Sequence, residues 1–415
     1  MTMTRRGVVA ASSAMAAAPA MAASAGSTVA ADLERYLSFG NKRSGGPGDE
    51  ATGAWLEGRL RALGFKTWRQ GFEVPFIEDA VCRLSPSGGG SSALLAQAPY
   101  VTGVVEGRVY DPASGRGEIA VVSLPHGRWS SLLQPPVQAA IQNARATGAK
   151  AVLLKTTGPS GKALALNALP ALAAPDASAL AILAPEDSTP VSLAIGQAAR
   201  FELSGRTGLR PAWNLIGELD RGADRWLVVS TPRSGWFTCG GERGGGIAAW
   251  LALAFWAVRN SALNLAFLST SGHEYENHGG HQAIAHAMPK ADKTALWFHL
   301  GANVASRDWH ELGGRLSPLP GADSQRLLVA TPTLIDKARA AFAGLPGLEA
   351  PYPSSAGAAG ELGEILKAGY APAAGIFGSH RLHHAETDDA RCLHPPLVEA
   401  ATAACLRFVE AALRA

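Results

Sequence analysis

The sequence contains few cysteines. Cysteine occupies four of 415 positions: Cys82, Cys239, Cys392 and Cys405. Four scattered cysteines are too few for a disulfide framework or a zinc site made of thiolates. Cys392 and Cys405 would pair only if the C-terminal helix folded back, and burial as small apolar side chains is the simpler interpretation. The sequence therefore excludes a small protein stabilised by disulfides.

A strong charge of one sign is also missing. The formal net charge is +3, and no basic stretch alternates with aromatic residues. This excludes the electrostatic footprint of a nucleic-acid-binding protein. With 47% hydrophobic residues, the chain can bury a large core and is long enough for two domains. We expect a globular protein whose substrate is a small molecule or a peptide.

No N-terminal apolar run is long enough to span a membrane securely. An Ala-rich run from Val8 to Ala20 follows the pair Arg5-Arg6, and small residues mark possible cleavage sites at 20–22 and 23–25. The pattern predicts that residues 1–25 are a bacterial export signal of the twin-arginine type. The alternative is an ordinary first helix. We expect a periplasmic or extracellular protein with no membrane span once the signal is removed.

The composition after the signal changes near residue 75 and again near residue 210. In residues 26–75, Asp49 can cap a helix that ends at Gly64, and residues 65–74 resemble an edge strand. Residues 76–210 contain short strands and turns rich in Gly, Pro and Ser, which is typical of a β-rich insert. Residues 211–415 alternate between strands and helices. The sequence thus predicts an α/β domain interrupted by an insert.

The insert contains a strand-helix-strand unit. Residues 118–124 and 149–155 read as strands, and Pro136 begins the helix between them. This unit, with AIQNARATGAKAVLL at its centre, resembles a protease-associated domain. The resemblance implies a lid or a substrate-access element that supplies no catalytic group of its own.

The C-terminal half predicts a largely parallel sheet covered by helices on both faces, a three-layer α/β/α fold with a mixed sheet. The predicted strands are 226–231, 263–270, 294–299, 326–330 and 373–377. The predicted helices are 246–259, 280–288, 332–343, 360–368 and 396–414.

Acidic and histidine residues follow several of these strands. Glu242, His273-Glu274, His299 and His384 each lie at or just after the end of an apolar run. The carboxyl ends of parallel strands line one crevice, so distant residues can meet there. Glu242, Glu274 and His384 form the three-ligand set of a catalytic zinc, with Asp388 as a partner that orients a histidine ring.

Each residue also has a simpler interpretation. Glu242 beside Arg243 is compatible with a surface ion pair, Glu274 with a helix cap, and His384 with a hydrogen-bonded loop histidine. A histidine-rich metal site is a further alternative, although glycines at 279 and 280 disfavour a shared helical face for its members, His278, His281 and His286. A serine nucleophile at Ser234 lacks the Gly-x-Ser-x-Gly elbow.

The order of these features resembles the two-zinc aminopeptidases of the co-catalytic metallopeptidase clan, which also includes the glutaminyl cyclases. The resemblance runs from about Asp32 to the C-terminus and includes the insert, RYLSFGNKRSGG and Asn214-Leu215-Ile216-Gly217. It implies an aminopeptidase-like fold with zinc. The family's bridging aspartate matches Glu242, its second paired glutamate matches Glu274, and its last histidine matches His384.

Three family positions differ in this chain. Pro232-Arg233-Ser234 stands where the family has His-x-Asp, His273 replaces the general base, and His299 replaces an aspartate. The first metal thereby loses its ligands, whereas Glu242, Glu274 and His384 remain for the second. We expect one zinc at most, with His299 as a possible extra ligand.

The sequence therefore predicts an exported zinc-aminopeptidase-like protein with a degenerate metal site, at most a single-zinc hydrolase of peptides or amides. In this hypothesis His273 is the catalytic base, and Arg233 binds a substrate carboxylate. The alternative is an inactive pseudo-peptidase that binds peptides or a partner. Close approach of the three ligands favours catalysis, and a site filled by an arginine or by Trp236 favours the alternative.

Overall fold

The structure, a computed structural model, describes residues 28–174, 176–312 and 315–414. The predicted export signal at residues 1–25 lies outside these ranges. None of the helices in the described ranges is long and apolar enough to cross a membrane. The helices are α1 (Val29–Ser38), α2 (Pro47–Ala62), α3 (Pro135–Ala146), α4 (Ser188–Leu193), α5 (Gly240–Asn260), α6 (His278–His286), α7 (Ile335–Ala341), α8 (Gly360–Lys367) and α9 (Pro395–Leu413).

The strands form one continuous sheet and a separate hairpin, β12 with β13. They are β1 (Lys66–Pro86), β2 (Ser92–Ala93), β3 (Leu95–Ala96), β4 (Gly103–Tyr110), β5 (Ile119–Ser123), β6 (Ala151–Lys155), β7 (Ala179–Leu183), β8 (Ala198–Leu219), β9 (Trp226–Pro232), β10 (Asn264–Thr270), β11 (Thr294–Leu300), β12 (Arg307–Leu312), β13 (Arg315–Ala322), β14 (Arg326–Ala330), β15 (Tyr352–Pro353) and β16 (Ala373–Gly378).

The centre of the sheet is parallel, as the alternating pattern predicts. Strands β16, β11, β9 and β10 lie side by side in that order and run in the same direction. Strand β14 is antiparallel to β16, and β8 is antiparallel to β10. The fold-class prediction is confirmed, since the sheet is mixed and mostly parallel at its centre.

Apolar side chains cover both faces of this sheet. Along β9, Leu227 and Val229 pack into one core with α5 and α9, whereas Val228 packs into the opposite core with Ile365 of α8. Successive side chains of a strand point to opposite faces, so a strand buried on both faces is apolar throughout. The three layers follow from this pattern.

Two very long strands connect the α/β body to the insert. Strand β1 pairs with β8 from Lys66–Glu218 to Pro86–Ala199, with a register shift between Glu78 and Val81. The predicted edge strand at residues 65–74 therefore continues through Pro75. Proline is tolerated there because β1 is an edge strand of the main sheet. A further core lies around β5, β6, β7 and α3, and Trp236, Phe237 and Tyr275 of the body also pack into it.

One helix begins earlier than the sequence predicts. Helix α5 starts at Gly240, not at Gly246, so the Gly-rich segment is helical. The glycines serve close packing: a Cβ on Gly240 would lie 2.4 Å from the Asp389 carbonyl oxygen, and one on Gly241 would lie 2.8 Å from His380. This packing carries Glu242 to the end of the sheet.

Candidate metal and active site

The carboxyl ends of the four parallel strands bring most of the predicted residues to one place. Strand β9 leads into Arg233 and the start of α5, β10 leads into His273-Glu274, and β11 ends beside His299. Strand β16 leads into the segment 379–389, which carries His384. This is the crevice that the pattern predicts for an open α/β sheet.

Glu242 lies in the first turn of α5, where Asp388 fixes the backbone. The N–H groups of Gly241 and Glu242 donate to the Asp388 carboxylate, with N···O distances of 2.6 and 3.0 Å. A carboxylate at a helix N-terminus satisfies free donors and is favoured by the helix dipole. Asp388 therefore positions Glu242 through its backbone and does not orient the ring of His384.

Asp388 is itself held by two buried neighbours, His380 and Cys392, whose ligand atoms lie with its own within 4.8 Å of one another. The N–H of Leu382 donates to Nδ1 of His380, which leaves the proton of a neutral ring on Nε2, 3.3 Å from Asp388 Oδ2. This group therefore supports the start of α5.

Glu242, His383 and His384 form a buried group whose possible ligand atoms all lie within 4.8 Å of one another. The His384 Nε2 atom is 3.4 Å from Glu242 Oε1, and the rings of His383 and His384 stack with centroids 4.1 Å apart. Nδ1 of His384 lies 2.8 Å from the Ala165 carbonyl oxygen. A carbonyl only accepts, so Nδ1 carries the proton, and Nε2 of the neutral ring is free to bind a metal.

A buried arginine lies against the same glutamate. Arg243 Nη2 is 2.6 Å from Glu242 Oε1, and both side chains are almost completely buried. The Nε–H of Arg243 donates to the Ser234 carbonyl at 3.0 Å. The ion pair between Glu242 and Arg243 that the sequence suggested is present, but it is buried and does not lie on the surface. It arises because the Gly-rich first turn of α5 is packed inside the protein.

The charges in this group reflect their surroundings. Burial alone raises the pKa of Glu242, but Arg243 and His384 outweigh burial and hold that pKa well below its ordinary value. Burial and the adjacent His384 hold the pKa of His383 well below its ordinary value. An ionised Glu242 and a neutral His383 are the forms in which these two side chains can bind a metal.

Glu274 does not belong to this group. One carboxylate oxygen accepts from the Ser44 N–H at 2.6 Å, and the other accepts from the Ser234 hydroxyl at 2.8 Å. The expected set of Glu242, Glu274 and His384 is therefore not brought together within ligand distance, and His383 takes the place of Glu274. The sequence shows the pair His383-His384, but the family resemblance assigned only His384 as a ligand.

His273 lies beside a glutamate that sequence reasoning did not identify. Its Nδ1 is 3.6 Å from Oε1 of Glu361 in α8, and Oε1 also accepts from the Thr270 hydroxyl at 2.6 Å. The His273 side chain is 13% exposed, compared with 1% for His384. His273 is therefore better placed than His384 to meet a substrate. An acidic residue at the predicted start of α8 was the available signal.

His299 is fully buried and engaged within the sheet. Its Nδ1 lies 2.9 Å from the Ser230 hydroxyl, which also accepts from Trp297. Burial lowers the pKa of His299 to about 4. His299 is not part of the group formed by Glu242, His383 and His384.

Arg233 is placed in the core of the body. It pairs with Asp49 at 2.9 Å, and its guanidinium donates to the carbonyls of Ser269 and Trp213 at 2.9 and 2.6 Å. The guanidinium also stacks 4.4 Å from the ring of Trp213. These contacts leave Arg233 without a free face for the expected substrate carboxylate, and a structural role explains its burial.

The residues fit one zinc ion. Two imidazoles and one carboxylate are a known ligand set for catalytic zinc. Oε2 of Glu242 and Nδ1 of His383 are buried and have no hydrogen-bond partner within the described residues, whereas Oε1 of Glu242 pairs with Arg243. Arg243 stands at Oε1, so Oε2 is the oxygen left for a metal. The described ranges hold one other group of this kind, His380, Asp388 and Cys392, in which Asp388 also accepts two N–H bonds at the start of α5.

Comparison with solved structures places the chain in a known fold. It resembles a zinc aminopeptidase from Bacillus subtilis with a TM-score of 0.68 and 14% identity, over 93% of this chain and 95% of that one. It resembles an aminopeptidase from Aneurinibacillus sp. strain AM-1 with a TM-score of 0.63 and 15% identity, over 92% and 93%. A peptidase precursor from Shewanella amazonensis gives 0.66 and 14%, over 91% of each chain.

No family model and no curated protein matches the sequence. The structural likeness at this level of identity establishes the fold, which is that of the zinc aminopeptidases. The predicted resemblance is confirmed at the level of the fold.

Proposed function

We propose that the protein is an exported single-zinc hydrolase of peptide or amide substrates. The observation that carries the proposal is the buried group of Glu242, His383 and His384, in which Oε2 of Glu242 and Nδ1 of His383 have no hydrogen-bond partner among the described residues. The zinc-aminopeptidase fold supports the same chemistry. Zinc bound here would polarise the substrate carbonyl and acidify a water molecule.

In this proposal, different residues position the metal ligands and transfer the proton. Asp388 fixes the first turn of α5 and hence Glu242, and His384 presents Nε2 beside that carboxylate. His273, whose Nδ1 lies 3.6 Å from Oε1 of Glu361, accepts the proton of the attacking water and returns it to the amine as the C–N bond breaks. Neutral imidazoles are suited to both tasks, since a ring must be unprotonated to bind a metal or to accept a proton.

A second candidate function follows from Arg243. Its guanidinium already neutralises Glu242, which is what a metal would otherwise do. This observation favours a pseudo-peptidase in which the arginine replaces the ion and the crevice binds peptides or a partner without cleaving them.

Zinc content separates the two functions. We expect close to one equivalent of zinc in the wild type by elemental analysis, and almost none in Glu242→Gln or His384→Ala. His310→Ala is the matched control, since His310 is exposed on the separate hairpin. Aminoacyl-anilide hydrolysis is expected to fall by about 100-fold or more in His273→Ala with zinc retained. Near-zero zinc in the wild type after incubation with excess zinc rejects the hydrolase and leaves the peptide-binding function.

Export and domain organisation belong to the same proposal. Residues 1–25 are proposed as the twin-arginine signal, residues 76–210 as a protease-associated-like insert, and residues 26–75 with 211–415 as the body. N-terminal sequencing of protein recovered from the periplasm or medium tests the signal. Cleavage near residues 22–25 supports export, and retention of Arg5-Arg6 in the cytoplasm contradicts it.

A further inference from the structure

The insert covers the candidate site with an inner segment, residues 163–168. Four of its members are at most 2% exposed: Leu164, Ala165, Leu166 and Ala168. The site residues beneath are equally closed, with Glu242 and Glu274 at 1%. The crevice beside Leu164, His380 and His383 is too narrow to admit a water molecule. The inner segment therefore shields these site residues from solvent in this conformation.

Main-chain hydrogen bonds join the inner segment directly to the proposed machinery. Ala165 makes two hydrogen bonds with His384. The Ala165 N–H donates to the His384 carbonyl at 3.0 Å, and Nδ1 of His384 donates to the Ala165 carbonyl at 2.8 Å. The Ala168 N–H donates to the carbonyl of Glu274 at 3.1 Å. The indole N–H of Trp236 donates to Asn167 at 3.0 Å. The segment thus contacts residues that follow three different strands of the body.

The other side of the segment belongs to the insert. Leu166 exchanges two hydrogen bonds with the buried side chain of Gln97, at 2.9 and 2.7 Å, and lies in the core of the insert. Asn167 pairs with the backbone of Ser130 and Leu132. If the segment leaves the site, it must therefore move together with the insert around it.

The connection between the insert and the body contains a natural bend. The register of β1 against β8 shifts between Glu78 and Val81, and Asp79 has a positive φ of 52°. Gly205 lies opposite, where a Cβ would meet the Glu78 carbonyl at 2.8 Å. A β-bulge locally disrupts a ladder and bends the strand, so this point is suited to a hinge. The bulge lies opposite a point of β8 between two paired stretches. Residues 215–219 of β8 pair with β10 of the main sheet, and residues 198–203 pair with β4.

We infer that residues 163–168 are an intramolecular stopper that keeps the site closed, and that rotation of the insert at the Glu78–Val81 bulge opens it. The inference rests on the proposed function, since it describes the regulation of that site. The chain as folded is the inhibited state. Activity then depends on the fraction of molecules in which the bonds to His384, Glu274 and Trp236 are broken.

Hydrogen exchange on the full chain tests the stopper without requiring activity. We expect the amides of Ala165 and Ala168 to exchange at least 10-fold faster in Asn167→Ala than in the wild type, with the amides of β9 unchanged. Ser131→Ala, which removes a hydrogen bond to Glu276, is a second opening variant. Asn143→Ala is the control, because Asn143 is exposed on α3 of the same insert.

Measurement of turnover is the second test of the stopper. The opening variants are expected to raise kcat/KM for an aminoacyl-anilide several-fold, whereas Asn143→Ala leaves it unchanged. The stopper is rejected if Ala165 and Ala168 exchange as slowly as β9 in the wild type and in both opening variants. The stopper is also rejected if the wild type has measurable turnover and the opening variants exchange faster without a rise in kcat/KM. Faster exchange with no zinc and no turnover in any variant rejects the proposed hydrolase and retains the stopper as the cover of a binding crevice.

Discussion

The guanidinium of Arg243 lies 2.6 Å from Oε1 of Glu242, and the two side chains are adjacent in sequence and buried together at the start of α5. This contact distinguishes the site from one in which the glutamate faces a metal alone. Burying two charges is costly, and removing only one of them leaves the other uncompensated.

Arg243→Met is therefore expected to destabilise the metal-free protein by about 3–5 kcal/mol, because Glu242 loses its cation. Added zinc is expected to raise the denaturation midpoint of this variant more than that of the wild type, since the ion would neutralise the same carboxylate. Denaturant unfolding with zinc and with a chelator measures both effects. Arg339→Met, at an exposed pair with Asp336, is the control and should cost about 1 kcal/mol or less. Equal losses in the two variants would contradict the prediction.

Glu274→Gln distinguishes two possible ligand sets. Because the oxygens of Glu274 accept from Ser44 and Ser234, we expect this variant to keep its zinc and to lose about 1–2 kcal/mol of stability. Elemental analysis beside Glu242→Gln makes the comparison. Loss of zinc in both variants would return Glu274 to the ligand set predicted from the sequence.

Asp388→Asn tests how the start of α5 is held. An amide has one acceptor oxygen, so one of the N–H groups of Gly241 and Glu242 loses its partner. We expect a loss of about 1–3 kcal/mol and weaker zinc binding, since Glu242 is positioned by the same turn. Asp389→Asn, at the adjacent and partly exposed carboxylate, is the control. Unchanged zinc affinity in Asp388→Asn would show that Glu242 is positioned without this cap.

His299 predicts a specific loss of stability in acid. Burial lowers the pKa of His299 to about 4, whereas an unfolded histidine titrates near 6.5. As the pH falls from about 6.5 towards 4, the unfolded chain binds a proton that the folded chain does not, so folding becomes less favourable. The loss reaches about 3 kcal/mol at pH 4.

His299→Gln should remove this part of the acid slope, while His310→Gln, at an exposed position, should leave it unchanged. Free energies of unfolding at several pH values between 4 and 7 provide the comparison. The same slope in the wild type and in His299→Gln would show that another group carries the acid sensitivity.

The periodic pattern was sufficient to predict the body of the fold. Strands β9, β10, β11, β14 and β16 lie within one residue of their predicted bounds, because strands buried on both faces are continuous apolar runs. The same pattern placed Glu242 and His384 at one edge of the sheet. Helix α5 was predicted to begin late, since glycines usually indicate a loop and their role here is close packing against Asp389 and His380.

The composition of the site depended on contacts that sequence spacing does not encode. Glu361 reaches His273 from a helix that begins almost 90 residues later, and Ala165 reaches His384 from the insert. Arg243 looked like a surface residue because nothing local indicates that a polar first turn is buried. Such contacts depend on how the helix layers and the insert pack against the sheet. A sequence motif therefore predicts which strand ends lie together, but it does not predict which side chains are in contact.

The ladder between β1 and β8 has a consequence for attempts to divide the protein. Both strands span the main sheet and the insert, β1 running into the insert and β8 running back out, so a cut at residue 75 or 210 would sever hydrogen-bonded β-structure in its middle. Deleting residues 76–210 would leave residues 66–73 paired with residues 211–218 but would remove the rest of the ladder. In the intact protein the ladder is continuous between the core of the body and the core around β5, β6, β7 and α3, so heating should unfold both cores in one cooperative step. Limited proteolysis should yield cleaved chains that stay associated.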